Sequence, residues 1–356
     1  MGAIDQDRWR AAYLNEIARV ASETSDRILD TVFFGGGTPS LMNPDLVADI
    51  LEKIRGGWRI SNSFEVTLEA NPTSVESGRF QGYRDGGVSR VSMGIQALND
   101  PDLKALGRLH TSKEAYRAFD VARGVFDRVS FDLIYARQNQ TLADWQDELA
   151  KALDMAVDHV SLYQLTIEPG TAFGDRHSRG GLLGLPPEDL AADMYFATQE
   201  ICEAAGLPAY ETSNHARPGA ESRHNQVYWK YGDYLGIGPG AHGRLTLNGR
   251  RYATETEKAP SVWLGQVEGN GSGESRRDIL SPHDMGTEYV LMGMRLVSGI
   301  SADRFERLAN QPVNYNKINY LKDIGILEVD GSNIRATPMG RPVLNAVIST
   351  ILEGVT

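Results

Sequence analysis

Three adjacent glycines are the first residues of this sequence that could contact a ligand directly. They lie in TVFFGGGTPS, residues 31–40, where an apolar run typical of a buried strand ends at Gly35. A backbone without Cβ atoms can turn tightly and approach a ligand closely. The stretch matches neither a GxGxxG fingerprint nor a P-loop, since no lysine follows the glycines. It predicts either a ligand-contacting turn at the carboxyl end of a strand or a tight strand-to-helix turn without a ligand.

Polar side chains follow the next predicted strands in the same way. Glu69 ends a run in TLEANP, Gln96 follows one in SMGIQ, and Asp132 lies within FDLIY. Carboxylate and amide oxygens accept hydrogen bonds from a ribose or an amine, while Arg108 could hold a carboxylate bidentately. Three further polar residues follow the fifth run, in YQLTIEPGT: Gln164, Thr166 and Glu168. Each alone would be an ordinary surface or capping group, but together they predict a pocket.

The elements that position these residues alternate between strand and helix. Strand-like runs are predicted at 31–34, 64–68, 90–93, 129–134, 159–165 and 208–211. Helical patterns lie between most of them, for example at Leu190, Met194 and Ile201. This rhythm indicates a parallel α/β sheet or barrel, in which ligand-binding residues gather at the carboxyl ends of the strands.

Composition limits the classes of partner. The 356 residues are 41% hydrophobic and 23% charged, as in an ordinary globular protein, and the net charge of −11 argues against a nucleic-acid binder. We find no apolar run of roughly 20 residues and no signal peptide in MGAIDQDRWR, and we expect a soluble, cytoplasmic protein. The single cysteine, Cys202, lies on an apolar helical face and is predicted to be a buried core residue.

The last part of the chain is predicted to be a separate small domain. Gly, Ser and charged residues at 265–278 predict a linker between a domain at 1–264 and a second at 279–356. Helices are expected at 285–296, 302–308 and 315–324, followed by two short strands around the turn Asp330-Gly331. This is a winged-helix-like α+β module, but no basic stripe marks it as a DNA-binding one.

The motifs GGGTPS, TLEANP, RVSMGIQALND, FDLIY and YQLTIEPGTAF, in this order, resemble the radical S-adenosylmethionine (SAM) family of oxygen-independent coproporphyrinogen III oxidases and their HemW-like haem-chaperone relatives. The resemblance implies an incomplete TIM-like (β/α) radical-SAM barrel whose mouth is covered by the C-terminal domain. It assigns SAM contacts by position to Gly36, Gly37, Thr38, Glu69, Gln96, Arg108 and Asp132. Glu69 and Asp132 would hold the ribose, and Gln96 and Arg108 the carboxylate.

Two departures from the family pattern bear on these expectations. Members of the family hold a [4Fe–4S] cluster with a CxxxCxxC motif after the first barrel strand, and neither the strand nor the motif is present in these residues. We expect the true start codon to lie upstream, the alternative being a degenerate copy that has lost the cluster. Relatives also commonly carry Tyr-Gly-Leu-Pro where this chain has Tyr135-Ala136-Arg137-Gln138, which could change the turn.

A second group of residues with ligand chemistry lies in SRHNQVYWKYGDYLGIGPGAHG, residues 222–243. Imidazole can ligate haem iron and aromatic rings can pack on a porphyrin, although His224, Tyr228 and Trp229 would also serve as ordinary core residues. The HNxxYW pattern resembles the one that distinguishes haem chaperones from true oxidases, and it implies a haem site at His224, Asn225, Tyr228 and Trp229. Two loop histidines are further candidates: His215 and His242. We identify no spacing typical of a zinc site.

The expected function is therefore that of a HemW-like haem chaperone, which binds haem and transfers it to apo-haemoproteins, with membrane respiratory enzymes among the expected recipients. The alternatives are an oxygen-independent coproporphyrinogen III oxidase, which decarboxylates propionates to vinyl groups, and an inactive paralogue. The missing cysteines argue against any radical enzyme. The sequence leaves open whether the chain forms a homodimer.

Overall fold

The computed structural model describes residues 5–354, and its main feature is an open six-stranded sheet. Its strands follow one another in chain order: β1 (Ile28–Phe34), β2 (Arg59–Ala70), β3 (Arg90–Gln96), β4 (Arg128–Tyr135), β5 (His159–Gln164) and β6 (Asn214–Ala216). β1 to β5 are parallel, and β6 is antiparallel to β5. Within the described residues β1 and β6 form the two edges of the sheet. The predicted incomplete (β/α) barrel is confirmed.

Helices precede β1 and connect the successive strands of this sheet. They are α1 (Gln6–Thr24), α2 (Pro44–Gly57), α3 (Ser77–Gly86), α4 (Asp100–Ala105), α5 (Ser112–Val125), α6 (Leu142–Met155), α7 (Ala172–Ser178) and α8 (Glu188–Ala204). Thr111 and Thr141 are the N-cap residues of α5 and α6. Each forms a reciprocal capping box, which satisfies backbone N–H groups that have no partner in the first turn of a helix. None of the helices in residues 5–354 combines the length and the apolar character needed to cross a bilayer.

Strand alternation gives the large sheet one apolar and one polar face. Met93 and Leu133 of β3 and β4 are fully buried in the main hydrophobic core, against the helices. Ser92 and Asp132, one residue earlier in each strand, lie on the opposite face and line a cavity. The period of two therefore separates the residues that stabilise the sheet from those that can meet a ligand.

The position of the sixth strand differs from the prediction. Residues 208–211 contribute only an isolated bridge from Ala209 to His215, and the strand itself is β6. The chain turns back between these segments because the Glu211 carboxylate accepts hydrogen bonds from the backbone N–H groups of Thr212 and Ser213. The return makes β6 antiparallel, so the parallel order ends at β5.

Residues 265–278, where the sequence predicts a linker, contain regular secondary structure. After α9 (Arg223–Trp229), the strands β7 (His242–Leu247), β8 (Arg250–Thr256) and β9 (Glu274–Ile279) form an antiparallel sheet, with α10 (Pro260–Asn270) between β8 and β9. Trp263 of α10 is fully buried and stacks on Trp9 of α1 with ring centroids 5.7 Å apart. The buried Glu16 carboxylate accepts a 2.6 Å hydrogen bond from the Gly273 amide. These contacts from a distant helix order a segment that lacks apolar periodicity of its own.

The C-terminal module has the predicted winged-helix-like α+β form. It contains α11 (Pro282–Gly293), β10 (Ile300–Ser301), α12 (Ala302–Ala309), α13 (Tyr315–Asp323), β11 (Leu327–Asp330), β12 (Asn333–Ala336) and α14 (Leu344–Leu352). β11 and β12 pair across the predicted turn, and β10 adds a third strand beside β12. Its core, which includes Phe305 and Ile348, also takes in Tyr231 from the segment after α9.

Candidate functional site

A cavity of about 210 Å³ lies at the carboxyl ends of β2, β3 and β4. Most of the residues predicted to contact SAM line it: Gly37, Thr38, Glu69, Arg108 and Asp132. The other lining residues were not predicted, and they include Asn71, Ser92 and Gly94. Ser92 and Gly94 alternate with the buried residues of β3, and this period of two was the signal that could have identified them.

The glycine turn after β1 forms one wall of this cavity. Gly36 and Gly37 have φ values of 82° and 62°, a backbone conformation that other L-residues adopt only with strain. The Gly36 amide donates a 3.1 Å hydrogen bond to Oε2 of Glu69. Gly36 itself lines a neighbouring cavity of about 350 Å³, which shares Thr38 with the first one. The turn therefore ties the end of β1 to the carboxylate at the end of β2.

The two carboxyl groups of the cavity have unusual electrostatics. Burial raises the pKa of Asp132 to about 7, and the negative charge of the nearby Glu69 raises it further. A hydrogen bond with Ser161 and the positive charges of Arg90 and Arg108 act in the opposite direction and lower this pKa. Burial also raises the pKa of Glu69, against the hydrogen bond from Gly36. Arg108 is exposed at the cavity and can approach an anionic ligand from solvent. The arrangement offers oxygen acceptors for hydroxyl groups beside a guanidinium for a carboxylate.

Gln96 lies outside both of these cavities. It is the last residue of β3, its side chain is buried, and its φ of 77° is unusual for a residue other than glycine. The β3–β4 register shifts between Met93 and Gln96, and this irregularity turns the backbone there. Gly94 lines the cavity where a longer side chain would meet the Gln96 amide. The Gln96 side-chain amide therefore lies beside Gly94, a residue of the cavity lining.

A larger cavity of about 510 Å³ lies beside the free edge of β1. His224 lines it from α9, with Nδ1 2.9 Å from Oγ1 of Thr31 and Nε2 3.0 Å from the Tyr228 hydroxyl. The imidazole stacks on Phe33 with centroids 4.7 Å apart. Burial and the charge of Arg90 lower the pKa of His224 to about 4, so the ring is neutral at physiological pH.

The other members of the HNxxYW pattern have different surroundings. Tyr228 lines the same cavity as His224, whereas Asn225 and Trp229 do not. The Asn225 backbone amide donates a 3.3 Å hydrogen bond to the Ser222 hydroxyl, and the Arg295 guanidinium lies 5.5 Å from the Trp229 ring centroid. The structure therefore brings only half of the predicted haem group together.

The two other candidate histidines, His215 and His242, and the cysteine differ in how exposed they are. His215 is buried in β6 and burial lowers its pKa to about 4, whereas His242 is exposed and lines the 510 Å³ cavity. Cys202 is fully buried in the main core, as predicted, and burial raises the pKa of its thiol to about 12. In residues 5–354 there is no group of three or more His, Cys, Asp or Glu side chains that could hold a metal ion. The residues present do not fit a [4Fe–4S] cluster, which requires several accessible thiolates.

Comparisons with known proteins agree with these observations. The model of the radical SAM superfamily matches residues 3–152, and that of the HemN C-terminal domain matches residues 280–343. The heme chaperone HemW of Haemophilus influenzae is 33% identical over 95% of this chain and 86% of its own length. The mitochondrial radical S-adenosyl methionine domain-containing protein 1 of Bos taurus is 36% identical over 98% of this chain and 81% of its own. The structure of coproporphyrinogen III oxidase (HemN) from Escherichia coli matches 99% of this chain and 85% of that one, with a TM-score of 0.78 and 20% identity.

Proposed function

This chain belongs to the radical SAM superfamily, in the group that contains the HemW proteins, and from that membership we propose that it is a haem chaperone. It would bind haem and pass it to apo-haemoproteins, including membrane respiratory enzymes. The observation that carries the proposal is the similarity to heme chaperone HemW of Haemophilus influenzae, which is 33% identical over 95% of this chain. The relatives named heme chaperone HemW support the same function.

Part of the lining of the 510 Å³ cavity could pack against a porphyrin, beside the charged Arg27, Asp30 and Asp233. Phe33, Trp58 and Tyr234 contribute aromatic surface, and Ile28 and Leu245 contribute aliphatic surface. A macrocycle is mostly apolar and its iron accepts nitrogen ligands, so such a cavity can bury the ring while an imidazole ligates the metal. The neighbouring 350 Å³ cavity shares Phe33 and Trp58 with it and extends the apolar surface along β1.

The smaller polar cavity at the strand ends would hold SAM. Arg108 would pair with the methionyl carboxylate, and Glu69 and Asp132 would accept hydrogen bonds from the ribose hydroxyls. When bound, SAM supplies a sulfonium centre between its methionyl carboxylate and its ribose. The residues present provide recognition of this ligand, and we assign no reaction step to it.

Haem binding is expected to depend on the aromatic wall. Phe33→Ala should weaken haemin binding by about tenfold, because it removes a ring from the cavity. Phe196→Ala, at a half-exposed position of α8 outside the cavity, should leave it unchanged. The measurement is a haemin titration followed in the Soret region, with transfer to apomyoglobin as a second readout. A wild-type chain without saturable binding, or equal affinities for the two variants, would refute the proposed site.

SAM binding is expected to require Arg108. Removing a charge-assisted pair of hydrogen bonds costs about 1.5–3 kcal/mol, so Arg108→Ala should reduce the affinity by roughly 10- to 100-fold. Arg117→Ala, which removes an exposed guanidinium of α5, is the matched control and should bind as the wild type does. Isothermal titration with SAM measures both. Equal affinity for SAM in the two variants would contradict the assignment of the polar cavity.

A further inference from the structure

A serine lies between the two carboxylates of the polar cavity at the strand ends. Ser92 belongs to β3, whereas Glu69 and Asp132 belong to the strands on either side of it, β2 and β4. Ser92 is the register partner of Glu69, and all three residues line the cavity. A ligand group held between the two carboxylates would therefore also meet the Ser92 hydroxyl.

A chain of hydrogen bonds fixes the direction in which Ser92 can donate. Nη2 of Arg90 donates a 2.9 Å hydrogen bond to Oγ of Ser130, and Ser130 donates a 3.2 Å hydrogen bond to Oγ of Ser92. A guanidinium cannot accept the Ser130 proton, which therefore points to Ser92. Ser92 is the acceptor at the end of this chain, and among residues 5–354 its own proton has no acceptor. That proton is left to be donated into the cavity.

Arg90 has an unusual environment for a charged side chain. It is 2% exposed, and its Nε is buried without a hydrogen-bond partner. Glu65 is the carboxylate whose charge acts most strongly on Arg90, yet Glu65 forms its 2.8 Å ion pair with Arg128. A buried cation without a carboxylate partner costs stability. Its hydrogen bond to Ser130 connects this buried donor to the cavity.

We infer that Ser92 is a specificity-determining residue of the polar cavity and that Arg90 is a positioning residue, which acts on the ligand through Ser130. The Ser92 hydroxyl donates to the oxygen of a ligand hydroxyl group, whose own proton is accepted by Glu69 or Asp132. The cavity then selects an alcohol, because an ammonium has no lone pair for Ser92 and an ether or ketone has no proton for the carboxylates. The inference rests on the proposed binding of SAM, whose ribose carries such hydroxyl groups.

Calorimetric titration of the full chain with SAM, and with a SAM analogue that lacks both ribose hydroxyl groups, tests the contact of Ser92. Ser92→Ala should weaken SAM binding about three- to tenfold, because one hydrogen bond is lost, and should leave the affinity for the deoxy analogue unchanged. Ser92→Thr keeps a hydroxyl and should bind SAM within about twofold of the wild type. Ser275→Ala, at an exposed position of β9, is the control and should match the wild type with both ligands.

Double variants test whether Arg90 acts through Ser92. Ser130→Ala breaks the chain of hydrogen bonds and should weaken SAM binding about threefold, and Arg90→Met should do the same. Combined with Ser92→Ala, neither change should weaken the binding further, since the hydroxyl that they orient is already absent. Circular dichroism checks the fold of each variant, and Ser130→Ala, which keeps the guanidinium, carries the test if Arg90→Met does not fold.

The outcomes separate this inference from the proposed function. A wild-type chain that does not bind SAM, or an Arg108→Ala variant that binds it equally well, would overturn the SAM site and this inference with it. If Arg108→Ala weakens binding while Ser92→Ala affects SAM and the deoxy analogue equally, the inference alone is wrong. Additive losses in the double variants would overturn the positioning role of Arg90.

Discussion

Replacement of Arg137 by leucine is expected to lower the free energy of unfolding by about 3–5 kcal/mol. The Arg137 side chain is buried, and its Nη2 lies 2.7 Å from Oδ2 of Asp102 and 2.5 Å from Oε2 of Glu148. Glu148 is also buried and accepts a 2.6 Å hydrogen bond from the Leu98 amide. Leucine would leave the Glu148 carboxylate in the interior without its cation, and an unpaired buried charge is among the largest single costs to a fold.

Urea denaturation of matched variants isolates this effect. Arg123→Leu breaks an exposed pair with Asp120 and should cost less than about 1 kcal/mol. The double variant Arg137→Leu/Glu148→Gln should regain about 1–3 kcal/mol relative to Arg137→Leu, since a neutral amide can still accept from Leu98. If Arg137→Leu destabilises no more than Arg123→Leu, the buried ion pair does not stabilise the loop.

The same loop shows how a departure from the family pattern is accommodated. Relatives commonly carry glycine and leucine where this chain has Ala136 and Arg137. Ala136 adopts a φ of 56°, a left-handed conformation that strains alanine by about 1–2 kcal/mol. Arg137, the next residue, forms ion pairs with Asp102 and Glu148.

Much of the sheet and of the polar cavity could be predicted because their signals are local. Apolar runs mark β1 to β5, and parallel strands bring their carboxyl ends to one edge, so Glu69 and Asp132 had to lie near the glycine turn. Gln96 ends β3 with a φ of 77°, and its side-chain amide lies beside Gly94 of the cavity lining. A left-handed backbone at a residue other than glycine has no signature in the sequence.

The surroundings of His224 and the segment 265–278 depend on distant contacts. His224 is defined by Thr31 and Phe33, far away in the chain, and no spacing rule connects them. The segment 265–278 is ordered by Glu16 and by packing against α1, although its composition is typical of a linker. Tertiary contacts override local composition in both cases.

The stability of the protein is expected to fall as the pH rises from about 4 to 7, because of Asp132. Burial raises its folded-state pKa from 3.8 to about 7, so in this range the folded protein binds a proton that the unfolded chain releases. The associated stability is fully present below pH 4 and is lost as the pH passes 7. At about 1.4 kcal/mol per pKa unit, the loss is about 4 kcal/mol. Asp132→Asn, which cannot ionise, should be more stable than the wild type at pH 8 by a similar amount.

Urea denaturation of Asp132→Asn at pH 5 and pH 8 measures this difference, with the exposed Asp154→Asn as the control that should follow the wild type. Parallel pH profiles for Asp132→Asn and the wild type would show that another group is responsible.

The loss of the same proton from Asp132 should strengthen ligand binding, although it weakens the fold. An ionised carboxylate accepts hydrogen bonds from a ribose more strongly than a protonated one, so SAM affinity should increase as the pH passes 7. The ionised Asp132 carboxylate therefore both destabilises the fold and recognises the ligand. Asp132→Asn should increase the stability at pH 8 and, in the same variant, remove the pH dependence of SAM binding.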